Sequence, residues 1–253
     1  MLKGERIMKY RIFKIDNEWN IIHYPERPNG FGILLIGNQE HYVDEKGSFW
    51  TENVGRNRII EILSDAGYTI FYSNLYGRNW GSKRAVELAK RLYEYVKRNE
   101  ILNENIHLIA EGMGALVAVE LVKEMSAKIR SVFFINPCFS LKTKLLEEKE
   151  HKFFYKRFIY EVSTAHQINE EECELFIMNR HEYSMNESSV PFKIIHVLEN
   201  GQKDLKMSKQ YKQIVHHRDK EEKPLIIRML VPERRGEIAT QAIVFFKQYE
   251  KVL

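Results

Sequence analysis

Disulfide frameworks are excluded first, because the chain of 253 residues has only two cysteines, Cys138 and Cys173. Two unlinked thiols fit a reducing compartment, so the expected localisation is cytoplasmic. Charge of one sign is also scarce. The 39 basic and 35 acidic residues leave a net +4, spread along the chain and too mild to imply nucleic acid. The basic run at Lys203, Lys206, Lys209 and Lys212 is interleaved with Asp204, Asp219, Glu221 and Glu222, which reads as a solvated face. No apolar run approaches a membrane span, and Met1–Arg6 lacks the apolar stretch of a signal peptide. Paired histidine or cysteine spacings are missing, so no metal is expected. Gly112 and Gly114 lack the rest of a G-x-G-x-x-G fingerprint, so no dinucleotide or other cofactor is expected.

What remains is an ordinary globular composition, 44% hydrophobic and 29% charged, at a length suited to one large domain. Ile7–Ile15, the turn Asp16-Asn17-Glu18 and Trp19–Tyr24 read as an opening hairpin. Short apolar strands and helices of period 3.6 then alternate. Phe31–Ile36, Tyr68–Ser73, Ile106–Ala110, Ser131–Ile135, Phe192–Leu198 and Leu225–Leu230 are the strands. Asn57–Ala66, Ala85–Arg98, Met113–Met125, Ser208–His217 and Gly236–Tyr249 are the helices. Such alternation implies βαβ units and a mostly parallel eight-stranded sheet with helices on both faces. Leu141–Val190 breaks the rhythm with charged and aromatic residues. A structureless loop of that length is unusual, so a helical cap over 141–190 is expected, with the core formed by 1–140 and 191–253. Phe153, Phe154, Tyr155 and Phe158 are expected to pack over the sheet's carboxyl edge near Gly112.

The strand Ile106–Ala110 runs into Ala110-Glu111-Gly112-Met113-Gly114 and then a helix, which is the strand–turn–helix setting of a nucleophile elbow. Leu34-Leu35-Ile36-Gly37-Asn38 precedes it, and Lys193–Leu198 followed by Asn200-Gly201-Gln202-Lys203-Asp204 comes after. In order and spacing these segments resemble the α/β-hydrolase superfamily over nearly the whole chain. The resemblance implies an α/β-hydrolase fold, an oxyanion turn at Gly37-Asn38, and an acidic triad position at Asp204. It also exposes two losses. Gly112 stands where the serine nucleophile belongs, and no histidine follows His217, although the family's base comes after the last strand. His216 and His217 precede that strand.

The sequence therefore implies a hydrolase-like protein with a degenerate triad. Its expected role is non-catalytic binding of a small carbonyl or acyl ligand, or of a protein partner. The alternative is a hydrolase of esterase or thioesterase type working by an atypical mechanism. The backbone N–H groups of Asn38 and Met113 at Gly112 are the candidate ligand donors, either in a retained pocket or beneath cap side chains that fill it. Cys138 and His41 are weak catalytic candidates. Cys138 reads better as an inert buried thiol, and His41 as a surface loop residue. His196, inside a strand pattern, reads as a hydrogen-bonded core or edge residue.

Overall fold

The computed structural model describes residues 9–181, 188–198, 211, 214, 218 and 224–250. Asp204, His216, His217 and most of the helix expected at Ser208–His217 lie outside the described residues. The chain opens with β1 (Lys9–Ile15) and β2 (Glu18–Tyr24), an antiparallel pair. Asp16 and Asn17 join them with φ of 50° and 65°, the left-handed pair that a tight hairpin turn requires. Next come β3 (Gly32–Ile36), the short α1 (Phe49–Glu52), α2 (Val54–Asp65), β4 (Thr69–Ser73) and α3 (Lys83–Asn99). β5 (Ile106–Glu111), α4 (Gly114–Met125) and β6 (Ile129–Ile135) follow. Between β6 and β7 (Phe192–Val197) stand α5 (Leu141–Glu148), α6 (Lys152–His166) and α7 (Glu170–Asn179). The last elements are β8 (Leu225–Leu230), a 3₁₀ turn at Pro232–Glu237 and α8 (Ile238–Phe246).

The eight strands lie in the order β1-β2-β4-β3-β5-β6-β7-β8, antiparallel in the first two pairings and parallel from β4 to β8. Every residue of β3 and β4 is buried, as a strand covered on both faces must be. Alternation then sorts side chains to two cores. Leu108, Ala110, Val132 and Phe134 meet α3 and α4 on one face. Ile109, Phe133 and Ile135 meet α2 and α8 on the other. A third cluster joins α5, α6 and α7 to Trp80, Met113 and Leu116, so the three-helix layer seats on the turn after β5. The helix expected at Gly236–Tyr249 starts later, at Ile238, because Pro232 opens a 3₁₀ turn ahead of it.

Candidate functional site

β5 ends at the sheet's carboxyl edge, and Gly112 turns the chain into α4 with φ of +52°. A side chain rarely adopts that angle, so glycine makes the turn with little strain. The Gly112 N–H donates to Ile135 O and its carbonyl accepts from Cys138 N–H, both at 2.9 Å, which ties the turn to β6. Gly114 lets α4 approach β3 closely. A Cβ there would stand 2.5 Å from Ile36 O and 2.7 Å from Gly37 O.

The space beside Gly112 is already filled. A Cβ on Gly112 would overlap the Asn38 carboxamide. Asn38 Oδ1 accepts the Met113 N–H at 3.1 Å. The sequence indicated the backbone of Asn38 as a donor facing Met113, whereas the structure brings its side chain to Met113 as an acceptor. Asn38, Gly112 and Met113 do converge, with the Met113 donor satisfied from within the protein. The residue type at 38 is the only sequence signal of this, since a carboxamide on a glycine-led turn has the reach to accept a nearby N–H.

A strained loop closes over the same point. Leu75, Tyr76 and Trp80 all have positive φ, as do Gly77 and Gly81. Such backbone persists only when its surroundings hold it. Here Tyr76 N–H donates to Glu18 Oε2 at 3.0 Å, Leu75 N–H to Ser73 Oγ at 3.2 Å, and Trp80 N–H to Met113 Sδ at 3.2 Å. The buried Trp80 ring meets Phe158 of α6 edge-on at 4.9 Å. Its Nε1 donates to Glu161 Oε2 at 3.0 Å, and Arg78 and Arg157 both pair with Glu161 Oε1. Arg180 adds bonds from its Nη2 to Gly81 O and Glu120 Oε1. Sequence reading missed Trp80 and Glu161, because they stand 81 positions apart and only the packed helices bring them together. Glu161→Gln should lower stability by about 1–2 kcal/mol, since a neutral amide keeps the shape and loses the charge-assisted bonds. Thermal melting reads the loss, and limited proteolysis should cut within α5–α7 before the core.

Of the aromatic residues expected over the elbow, Phe158 is there and Tyr155 packs partly against it. Phe153 and Phe154 are instead exposed. The buried stripe of α6 runs 155, 158, 159, 162 and 165. Phe153 lies away from it and Phe154 one turn ahead.

His41 is buried, not on the surface. Gly37 has no Cβ, and one would stand 2.7 Å from the ring's Nδ1. Its Nε2 donates to Ser73 O at 3.0 Å, and burial lowers its pKa from 6.5 to about 4, so the ring is neutral near pH 7. Cys138 is half-buried, with its thiol toward Ser140 O at 3.8 Å. His196 is buried, its Nδ1 3.2 Å from the Tyr211 hydroxyl. Beside the elbow, Glu111 receives both Arg56 Nη2 at 2.6 Å and Nε at 3.2 Å, a bidentate pair. A Ser–His–Glu array also exists, far from this turn. Ser131 Oγ lies 2.8 Å from His107 Nδ1, and His107 Nε2 lies 3.3 Å from Glu250 Oε1. Ser131 and His107 have no exposed surface and sit toward the amino ends of β6 and β5, so this array holds Glu250, which follows α8, against the sheet. Among the described residues no three His, Cys, Asp or Glu side chains converge as a metal site.

No family model matches the chain, and no curated protein sequence matches it. Solved structures do. An acylaminoacyl peptidase from Pyrococcus horikoshii superposes with a TM-score of 0.70 at 15% identity, over 99% of this chain and 44% of that one. The chain thus spans less than half of that peptidase. A solved arylesterase gives 0.63 at 13% identity, over 97% of this chain and 86% of its own. The S-formylglutathione hydrolase of Staphylococcus aureus gives 0.59 at 10%, over 95% and 98%. The chain has the α/β-hydrolase fold. Within that fold, Gly112 lies on the turn between β5 and α4, and Asn38 on the turn after β3. Identities this low carry the fold and no more, so the activities of those enzymes are not transferred.

Proposed function

We propose that this α/β-hydrolase-fold protein is non-catalytic and serves in binding, with a degenerate triad and an elbow closed by its own Asn38. The hydrogen bond from Met113 N–H to Asn38 Oδ1 carries the reading. A hydrolase elbow needs a nucleophile and a free N–H donor for the developing oxyanion. Gly112 supplies no nucleophile, and the donor already has an acceptor. No histidine follows His217 to act as base, and the neutral His41 is bonded to Ser73 O. The region 141–190 acts as a cap on a core of 1–140 and 191–253, locked down through Glu161 and Trp80. A small carbonyl or acyl ligand would have to displace Asn38, so a macromolecular contact is favoured over a small ligand. The two cysteines, neither in a disulfide, accord with a cytoplasmic setting, and no helix among the described residues is long and apolar enough to cross a membrane.

The test is turnover of p-nitrophenyl acetate and butyrate together with labelling by a fluorophosphonate probe. The expected result is no turnover above a protein background and no labelled residue. Saturable hydrolysis blocked by the probe would overturn the proposal, because it would reveal a nucleophile outside the elbow.

A further inference from the structure

An amphipathic helix normally turns charge and polarity to solvent, yet α6 presents Phe153, Phe154 and Tyr160 there, at 73%, 51% and 60% exposure. The inward stripe of Phe158, Ile159, Val162 and Ala165 already satisfies the helix's packing, so the outward rings contribute nothing to the core. Phe153 and Phe154 gather at the amino end of the helix. Phe153 and Phe154 are 5.7 Å apart between centroids, and His151 stands 6.0 Å from Phe154. A protruding apolar cluster of this kind marks a contact surface.

Along residues 149–157 the charges are mostly basic. Residues 149–157 hold Lys149, Lys152, Lys156 and Arg157 against Glu150 alone. Lys149 is paired with Glu174, and Arg157 with Glu161. Lys152 and Lys156 make no ion pair among the described residues, and both are exposed in the first turns of the helix beside Phe153. Uncompensated lysines flanking projecting rings match a surface that is anionic outside and apolar just beneath. Side chains as exposed as Phe153 project outward and do not line a groove, which disfavours a bound peptide. Lysine stems can lie along apolar surface while their ammonium groups reach phosphates.

We propose that the amino-terminal end of α6 docks on an anionic lipid surface, with Phe153 and Phe154 entering the headgroup–acyl boundary and Lys152 and Lys156 meeting lipid phosphates. The contact is peripheral and leaves the fold intact. It stands apart from the elbow reading, since labelling at the elbow would leave it untouched.

Co-sedimentation with vesicles tests it, using phosphatidylcholine alone and phosphatidylcholine partly replaced by phosphatidylglycerol. The full chain should sediment with the phosphatidylglycerol vesicles, not with phosphatidylcholine alone, and should be released as salt is raised. The F153S/F154S and K152E/K156E variants should each reduce partitioning by about tenfold or more while melting like the parent. In a Phe153→Trp protein, emission should shift to the blue when phosphatidylglycerol vesicles are added, a readout that needs no disabling substitution. No sedimentation with phosphatidylglycerol vesicles, or binding unchanged in F153S/F154S, would overturn the proposal. So would a dimer that F153S/F154S dissolves without any vesicle binding, which would assign the patch to a second copy of the chain.

Discussion

Gly112→Ser should melt well below the parent, by the equivalent of about 2–5 kcal/mol, and should gain no esterase activity. Two effects add. A serine at φ of +52° carries left-handed strain of about 1–2 kcal/mol. Its Cβ also meets the Asn38 carboxamide, which must swing away and release the Met113 N–H it accepts from. Leaving that buried donor unpaired costs about 1–3 kcal/mol. Asn38→Ala removes the obstruction and the bond together, so G112S in that background should show only the strain. The double variant should therefore be more stable than the summed single effects by about 1 kcal/mol or more. Additive losses would show that Asn38 does not hold the elbow. Neither variant should hydrolyse esters, because the new hydroxyl has no base in reach among the described residues.

The second large effect is with acid. Burial lowers His23, His41 and His166 from 6.5 to about 4 in the folded protein. Between those values the unfolded chain binds protons that the folded chain refuses, so stability is full above about pH 6.5 and falls as pH drops toward 4. Each depressed histidine contributes about 1.4 kcal/mol per pH unit in that window, or about 2 kcal/mol by pH 5. Three together approach about 6 kcal/mol, comparable with the whole stability of an ordinary domain. Glu250 adds a later loss. The hydrogen bonds from His107 and Tyr68 outweigh desolvation and hold its carboxyl below 4.5, so its contribution disappears only as pH falls through that lower value. Melting temperature measured from pH 7 to pH 5 should drop steeply, and imidazole titration by NMR should show His23 and His41 neutral at pH 5. A flat melting profile over that range would contradict the buried-neutral assignment.

The fold was legible because its signals are local. The apolar run of β3, the apolar centre of β4 at Ile70-Phe71-Tyr72, the Asp16-Asn17 turn and the glycine at 112 each report a strand or turn within a few residues. Gly112 was legible for the same reason, as a residue without a side chain at a fixed offset from β5. The filling of the site was not. That Asn38 turns its carboxamide to Met113 depends on how closely α4 approaches β3, a distance set by Gly114 against the backbone of Ile36 and Gly37. His41 became a core residue because Gly37 leaves room for its ring, which no pattern around His41 announces. In α6, aromatic residues occupy more than one face, so periodicity alone could not say that Phe158 turns inward and Phe153 outward. Trp80 and Glu161 meet only in the packed protein.

The closure of the turn at Gly112 rests on one contact, the side chain of Asn38 accepting the Met113 N–H. A long-range HNCO spectrum of deuterated protein detects such a contact as a scalar coupling across the hydrogen bond. The predicted result is a cross-peak between the Met113 amide and the Asn38 side-chain carbonyl carbon, absent in Asn38→Ala. A Met113 amide that shows no such coupling, and whose chemical shift is unchanged by Asn38→Ala, would mean that this N–H is free and that the turn at Gly112 remains open to a ligand.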